Sequence, residues 1–118
     1  MFVSDSLICI EPDATLLQIA QRLAAEGVGA LVVAEGDRVV GIVSERDVVR
    51  AVASGKDFGS TTAAALGTRR VVTCTPETTV QAAAQLMMEH YVRHLLVEGR
   101  DGPLGMVSAR DLLGAYAS

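Results

Sequence analysis

The chain has 118 residues and a formal net charge of −4, with half of its residues hydrophobic and a fifth charged. This length suits one domain with its own core, and the composition is that of a folded protein and not of a disordered one. An acidic chain with only two tyrosines and two phenylalanines offers no basic stripe and no aromatic platform, which argues against nucleic-acid binding.

The composition also argues against a membrane segment. The longest run of apolar residues and glycines covers positions 27–34, whereas a spanning helix needs about 20 residues. Three acidic residues among the first 13 positions exclude a signal peptide, so we expect a cytoplasmic protein. Cys9 and Cys74 have neither Cys-x-x-Cys spacing nor neighbouring metal ligands, and are predicted to be free, buried thiols.

The first half of the chain predicts the order β-α-β-β-α. A β-rich run at residues 7–10 ends at a proline, and a helix begins at Thr15, whose hydroxyl suits an N-cap. Apolar residues recur at helical spacing from position 16, and Gly27 suits the end of this helix. Strands at 30–34 and 38–43 form a predicted hairpin, and the last helix begins at Ser44.

The second half repeats this order 64 residues later without a gap. Its predicted elements are a strand at 71–74, a helix from Thr79 to His90 or Tyr91, a hairpin of strands at 94–97 and 104–107, and a helix from Ser108. The stretch GIVSERDVVRAV at 41–52 returns as GMVSARDLLGAY at 105–116, with six of twelve positions identical. We therefore predict an α+β fold of two pseudo-symmetric repeats that share one core, at residues 1–54 and 63–118, with a linker at 55–62.

The repeated Ser-x-Arg-Asp stretch has the chemistry of a nucleotide-binding turn. An ionised aspartate accepts hydrogen bonds only, so it suits the two hydroxyls of a ribose. A serine at a helix N-terminus lies among unpaired N–H groups that favour a phosphate, and the arginine adds positive charge. The residues of the two predicted turns are Ser44, Arg46 and Asp47 in the first copy, and Ser108, Arg110 and Asp111 in the second.

The same Ser-x-x-Asp spacing is also that of a capping box, in which the acidic side chain accepts from the N-cap N–H. A cap does not require the arginine that both copies keep. Glycine stands three residues before each serine, where a side chain would narrow the approach to a cleft. These two observations favour the nucleotide role, with the serine capping the helix as well.

The element order, the helix starts PDATL and PETTV, and above all GIVSERD and GMVSARD resemble CBS domains. The pair resembles a Bateman module over residues 3–116. This resemblance implies a cleft between the repeats that binds AMP, ADP, ATP or S-adenosylmethionine, with the aspartate holding the ribose. It also implies that the adenine is contacted by residues of the opposite repeat, Ile8 and Val28 for the Asp111 site, and Val72 and Val92 for the Asp47 site.

The two predicted sites differ where a phosphate would bind. Arg93 and His94 occupy the positions of Gly29 and Ala30 in the first copy. In proteins of the family that the chain resembles, a basic residue at the start of this strand reaches the phosphates. We therefore expect the Asp111 site to be the better phosphate-nucleotide site, and the Asp47 site to be empty or to take a less charged adenosyl group.

Two functions are compatible with these patterns. The first is a regulatory module that senses an adenosyl ligand, forms a homodimer through its alanine-rich helices and acts on an unidentified protein. The second is a ligand-free structural or interaction protein, which the absence of the family's proline from Leu31-Val32-Val33 and Leu95-Leu96-Val97 slightly favours. No catalytic constellation supports an enzyme. His90 and His94 are four residues apart but fall on a helix and a strand, so no metal site is predicted.

Overall fold

A computed structural model describes residues 5–117, and of residues 5, 6 and 115–117 it describes the backbone alone. The first four residues of the predicted first repeat and Ser118 of the second lie outside this part. The described elements, in chain order, are β1 (Asp5–Ser6), β2 (Cys9–Ile10), α1 (Leu16–Glu26), β3 (Ala30–Glu35), β4 (Arg38–Ser44), α2 (Glu45–Ala53), α3 (Ala63–Leu66), β5 (Thr73–Cys74), α4 (Val80–His90), β6 (His94–Gly99), β7 (Gly102–Ser108) and α5 (Ala109–Ala117). The predicted α+β class and the repeated β-α-β-β-α order are confirmed.

The chain forms two compact units. One is Ile8–Val71, and the other joins Met1–Leu7 to Val72–Ser118. Among the described residues, the longest helices, α1 and α4, have 11 residues each. None of the described helices combines the length and the apolar character that crossing a bilayer requires.

The first unit contains a mixed sheet with the strand order β2-β3-β4. Strand β2 runs parallel to β3 and β4 runs antiparallel to it, as the predicted hairpin requires. Helix α1 begins at Thr15, whose hydroxyl accepts from the Gln18 N–H at 3.2 Å. The buried side chains of this unit's core come from α1, the sheet and two flanking alanines: Ala14, Ile19, Leu23, Leu31, Val33, Val43 and Ala63.

The segment from residue 57 to residue 68 packs onto this first unit through its backbone. The Leu16 N–H donates to the Thr61 carbonyl and the Ala63 N–H donates to the Ala14 carbonyl, both at 2.8 Å. Thr68 then pairs antiparallel with Ile42 of β4. The sequence did not predict α3, because four helical residues carry no periodicity and its anchoring hydrogen bonds come from distant parts of the chain.

The second unit contains a sheet with the order β1-β7-β6-β5. Strand β7 lies antiparallel to both β6 and β1, with Ser6 opposite Gly105, and β5 runs parallel to β6. Each hairpin has a register shift at the equivalent place, after Val33 in the first unit and after Val97 in the second. The core of this unit consists of Cys74, Ala83, Met87, Leu95, Val97, Val107 and Leu112.

The prediction of two free, buried thiols is half wrong. Both cysteines are free, and Cys74 is buried, but Cys9 is exposed. Cys9 belongs to a two-residue strand whose next residue, Ile10, is the one that turns toward the core, so the cysteine side chain faces outward. Burial raises the pKa of the Cys74 thiol above its usual value.

The helices α1 and α4 both end in a left-handed residue. Gly27 has φ 65° and ψ 31°, as expected for a glycine after a helix. Its counterpart is Tyr91, with φ 55° and ψ 40°. A side chain is disfavoured in this conformation by contact between Cβ and the backbone, so the second copy keeps a local strain that the first copy lacks.

Replacing Tyr91 by glycine should therefore raise the free energy of unfolding by about 1 kcal/mol. The tyrosine side chain is 94% exposed, so its removal sacrifices little packing. The measurement is chemical denaturation followed by circular dichroism. Gly27→Ala is the matched control and should lower the same free energy by about 1 kcal/mol. If Tyr91→Gly had a lower free energy of unfolding than the wild type, the inference that Tyr91 is strained would be wrong.

Candidate functional site

The N-terminus of α2 is closed by a capping box. The Ser44 N–H donates to Asp47 Oδ2 at 2.8 Å, and the Asp47 N–H donates to Ser44 Oγ at 3.3 Å. The Ser44 hydroxyl also donates to Asp47 Oδ2, at 3.0 Å. The capping role, which the sequence left open beside a ligand role, is thus present in the first copy.

The N-terminus of α5 has the same cap with one hydrogen bond fewer. The Ser108 N–H donates to Asp111 Oδ2 at 2.9 Å, and the Asp111 N–H donates to Ser108 Oγ at 3.1 Å. Within the part of the chain that the structure describes, the Ser108 hydroxyl has no acceptor, whereas the Ser44 hydroxyl has Asp47. As far as the described side chains go, the second turn therefore has a hydroxyl donor that the first turn uses internally.

Both aspartates keep acceptor capacity after capping. Each uses Oδ2 for the cap, and neither Oδ1 has a hydrogen-bond partner among the residues whose side chains are described, 7–114. An ionised carboxylate offers about four lone-pair sites, so an aspartate can cap its helix and still accept from a ligand hydroxyl. Asp47 and Asp111 are half-buried, which leaves them accessible. Capping and ligand binding are therefore compatible at both turns.

The start of β6 lies beside the start of α5. His94 is paired with Ser108 across the β6–β7 hairpin, and the Ala109 N–H donates to the Arg93 carbonyl at 2.8 Å. Arg93 is exposed and His94 is half-buried. The second turn thus has an arginine and an imidazole next to its serine.

The first turn has the same backbone arrangement without these side chains. Ala30 is paired with Ser44, and the Glu45 N–H donates to the Gly29 carbonyl at 2.9 Å. Arg46 and Arg110, the arginines inside the two turns, are both exposed, and neither makes an ion pair with any residue that the structure describes. The second copy therefore surrounds its turn with more positive charge than the first.

The residues predicted to contact adenine are half-buried and belong to the two units separately. Ile8 and Val28 pack against the core of the first unit, and Val72 and Val92 pack against that of the second. The Ile8 carbonyl accepts from the Val32 N–H at 2.9 Å, and the Val72 carbonyl accepts from the Leu96 N–H at 3.0 Å. Each pair thus lies in the unit opposite the aspartate with which it is predicted to act, and that combination stays a prediction.

Tyr91 is a site candidate that the sequence analysis did not name. It precedes Arg93 by two residues and is strongly exposed at the end of α4. The signal was available, because the aligned repeats place this tyrosine opposite Gly27. His90 and His94 lie on α4 and β6, as predicted, and the described residues contain no group of three side chains suited to a metal ion.

Comparison with known proteins shows the family to which the chain belongs. CBS domains match residues 2–54 and again residues 63–118. A 17.7 kDa protein of Acidianus ambivalens is 37% identical over 108 residues, which are 90% of this chain and 65% of that protein. The mitochondrial CBS domain-containing protein CBSX3 of Arabidopsis thaliana is 36% identical over 109 residues, which are 87% of this chain and 53% of that protein. The chain therefore spans between about half and two thirds of the length of these relatives.

The solved structures agree with this assignment. A CBS domain protein of Pyrobaculum aerophilum, complexed with AMP, is 30% identical and superposes with a TM-score of 0.79. The similarity covers 98% of this chain and 95% of that protein. Two family matches, one on each copy of the repeat, show that the chain belongs to the CBS domain family.

Proposed function

We propose that this pair of CBS domains is a regulatory module that binds an adenosyl ligand, AMP, ADP, ATP or S-adenosylmethionine, with the Asp111 turn as the preferred site. The proposal rests on the hydrogen bond between the Ala109 N–H and the Arg93 carbonyl, which sets a basic strand start beside Ser108 and Asp111. It is supported by the AMP complex of the relative from Pyrobaculum aerophilum.

Each side chain of the second turn has a defined task in this proposal. Asp111 Oδ1 accepts the ribose hydroxyls, while Oδ2 continues to cap α5. The Ser108 hydroxyl and the guanidinium groups of Arg93 and Arg110 donate to the phosphate, and His94 adds a donor at the same edge. Ile8 and Val28 contact the adenine.

The first turn is proposed to take a less charged adenosyl group or to stay empty. The Ser44 hydroxyl already donates a hydrogen bond to Asp47, and Gly29 and Ala30 supply no donor side chains. Arg46 is the only cation inside that turn. Val72 and Val92 are the proposed adenine contacts of an Asp47-bound ligand.

In this proposal the protein is a cytoplasmic homodimer that binds a further protein. The ligand regulates the association of the two copies or the binding of that partner. Met88, Leu113 and Val49 are large apolar side chains on helices, with exposed fractions of 76%, 72% and 65%. A second copy of the chain would bury such residues, as would a partner protein. A ligand changes this association only if it binds the free and the associated states with different affinity.

Calorimetric titration of the protein with AMP, ADP, ATP and S-adenosylmethionine tests the proposal, with GMP as the control ligand. We expect saturable binding of at least one adenosyl ligand and no comparable binding of GMP. Absence of heat with all four adenosyl ligands at millimolar concentration would refute the sensor function for these compounds.

The second candidate, a ligand-free structural or interaction protein, is favoured by one observation. Both aspartates already serve as helix caps, so the repeated stretch has a structural use without any ligand. This candidate predicts that the protein self-associates or binds its partner equally well with and without the four ligands. Sedimentation velocity in the presence and absence of each ligand separates it from the sensor.

A further inference from the structure

Tyr91 combines two unusual features. It is the one described residue other than glycine with a positive φ, and its side chain is 94% exposed. A strained residue persists only where the surrounding structure holds it, and such residues concentrate at functional sites. The contacts of the described residues do not account for the tyrosine, because so exposed a side chain contributes little packing.

The second copy gains donor side chains at three of four consecutive positions. Gly27, Gly29 and Ala30 of the first copy have no polar side-chain atom. Their counterparts in the second copy are Tyr91, Arg93 and His94, which have a hydroxyl, a guanidinium and an imidazole. Tyr91 therefore belongs to the same difference between the copies as the two residues already assigned to the phosphate.

We propose that the hydroxyl of Tyr91 binds the phosphate of a nucleotide held at the Asp111 turn. This inference rests on the proposed function. The Arg93 carbonyl is fixed to the Ala109 N–H at 2.8 Å, and two extended residues span at most about 7 Å, so the Tyr91 backbone lies close to the start of α5. A tyrosine side chain then has the length to bring its hydroxyl to a phosphate beside Ser108.

The chemistry of the phenol suits this position. Its O–H donates to a phosphate oxygen without adding charge, which complements the guanidinium of Arg93. If Tyr91 made only an apolar contact, phenylalanine would serve equally well at this position. The hydroxyl is thus the atom on which the inference depends, and a single-atom change tests it.

The experiment is calorimetric titration of the wild type and of Tyr91→Phe with AMP and with adenosine. The variant keeps the ring and the strained backbone, so its stability should equal that of the wild type. We expect its affinity for AMP to fall by about 10-fold, because a hydrogen bond to a charged group is lost. Its affinity for adenosine, which has no phosphate, should stay within about twofold.

The outcomes separate this inference from the function on which it rests. If the wild type binds AMP and Tyr91→Phe binds it equally well, the role of the hydroxyl is overturned while the sensor function stands. Equal losses for AMP and adenosine would also overturn it, since the phosphate would not be the group concerned. A wild type that binds S-adenosylmethionine but none of AMP, ADP and ATP would overturn the role of the hydroxyl alone, and a wild type that binds none of the four ligands would overturn both.

Discussion

Replacing Asp111 by asparagine is expected to lower the affinity for AMP by at least about 10-fold and to leave the free energy of unfolding almost unchanged. Asparagine keeps a side-chain oxygen that can accept from the Ser108 N–H, as Asp111 Oδ2 does at 2.9 Å. It loses the negative charge that strengthens hydrogen bonds to ribose hydroxyls. Titration calorimetry with AMP and chemical denaturation measure the two effects separately.

Asp47→Asn is the matched control, because it makes the same chemical change at the equivalent turn. The affinity for AMP should change by less than about twofold if the nucleotide prefers the second turn. A larger loss from Asp47→Asn than from Asp111→Asn would place the preferred site in the first copy. The inference from Arg93 and His94 would then be wrong.

Alanine at the same positions would give a less clear result. Asp111→Ala removes the acceptor of the cap together with the charge, and loss of a cap costs about 1 kcal/mol of stability. A fall in AMP affinity could then reflect a frayed α5. Gln18→Ala, in the capping box of Thr15 and Gln18, gives the cost of a lost cap far from either Ser-x-Arg-Asp stretch in the sequence.

The parts of the fold that the sequence predicted well depend on local signals. Thr15, Thr79 and Ser44 cap their helices as expected, because an N-cap needs only a side-chain oxygen and the next turn of the helix. Both hairpins are confirmed. Their two signals, the apolar strand residues and the turn residues between them, lie within a few positions of each other in the sequence. Equivalent register shifts after Val33 and Val97 show that the repeat extends to backbone detail.

The parts that the sequence did not predict depend on distant contacts. Strand β1 pairs with β7, about 100 residues away, and Thr68 pairs with Ile42 although no strand was predicted there. A two-residue strand carries no pattern of its own. The exposure of Cys9 has the same cause, since nothing in residues 7–10 fixes which face turns toward the core.

The candidate site was predictable in composition and not in geometry. The sequence gives Ser-x-Arg-Asp in both copies, so it contains no sign that the Ser44 hydroxyl donates to Asp47 while the Ser108 hydroxyl lacks a described acceptor. The resemblance to CBS domains implied that Arg93 lies near the second turn, and the structure explains this proximity, because antiparallel pairing brings the start of β6 to the end of β7. The place of Tyr91 opposite Gly27 was visible in the sequence, but its left-handed backbone and its exposure were known only from the structure.

Gly41→Ala is expected to lower the free energy of unfolding by about 2 kcal/mol, within the range for overpacking. A Cβ at this position would lie 2.5 Å from the Thr68 carbonyl oxygen and 3.3 Å from its carbon. Both are backbone atoms, held by hydrogen bonds of 3.0 Å and 2.9 Å between Ile42 and Thr68, so they cannot move without loss of that pairing. Chemical denaturation measures the effect.

Gly114→Ala is the matched control for this substitution. Gly114 lies inside α5, and an added Cβ would meet nothing within 4 Å, so the variant should gain about 0.5–1 kcal/mol from the higher helix propensity of alanine. The difference between the two variants would show that Gly41 is a glycine because Thr68 approaches it closely. The sequence instead suggested that this glycine gives access to a cleft. If Gly41→Ala were as stable as the wild type, the packing of residues 67–69 on β4 would not explain this glycine.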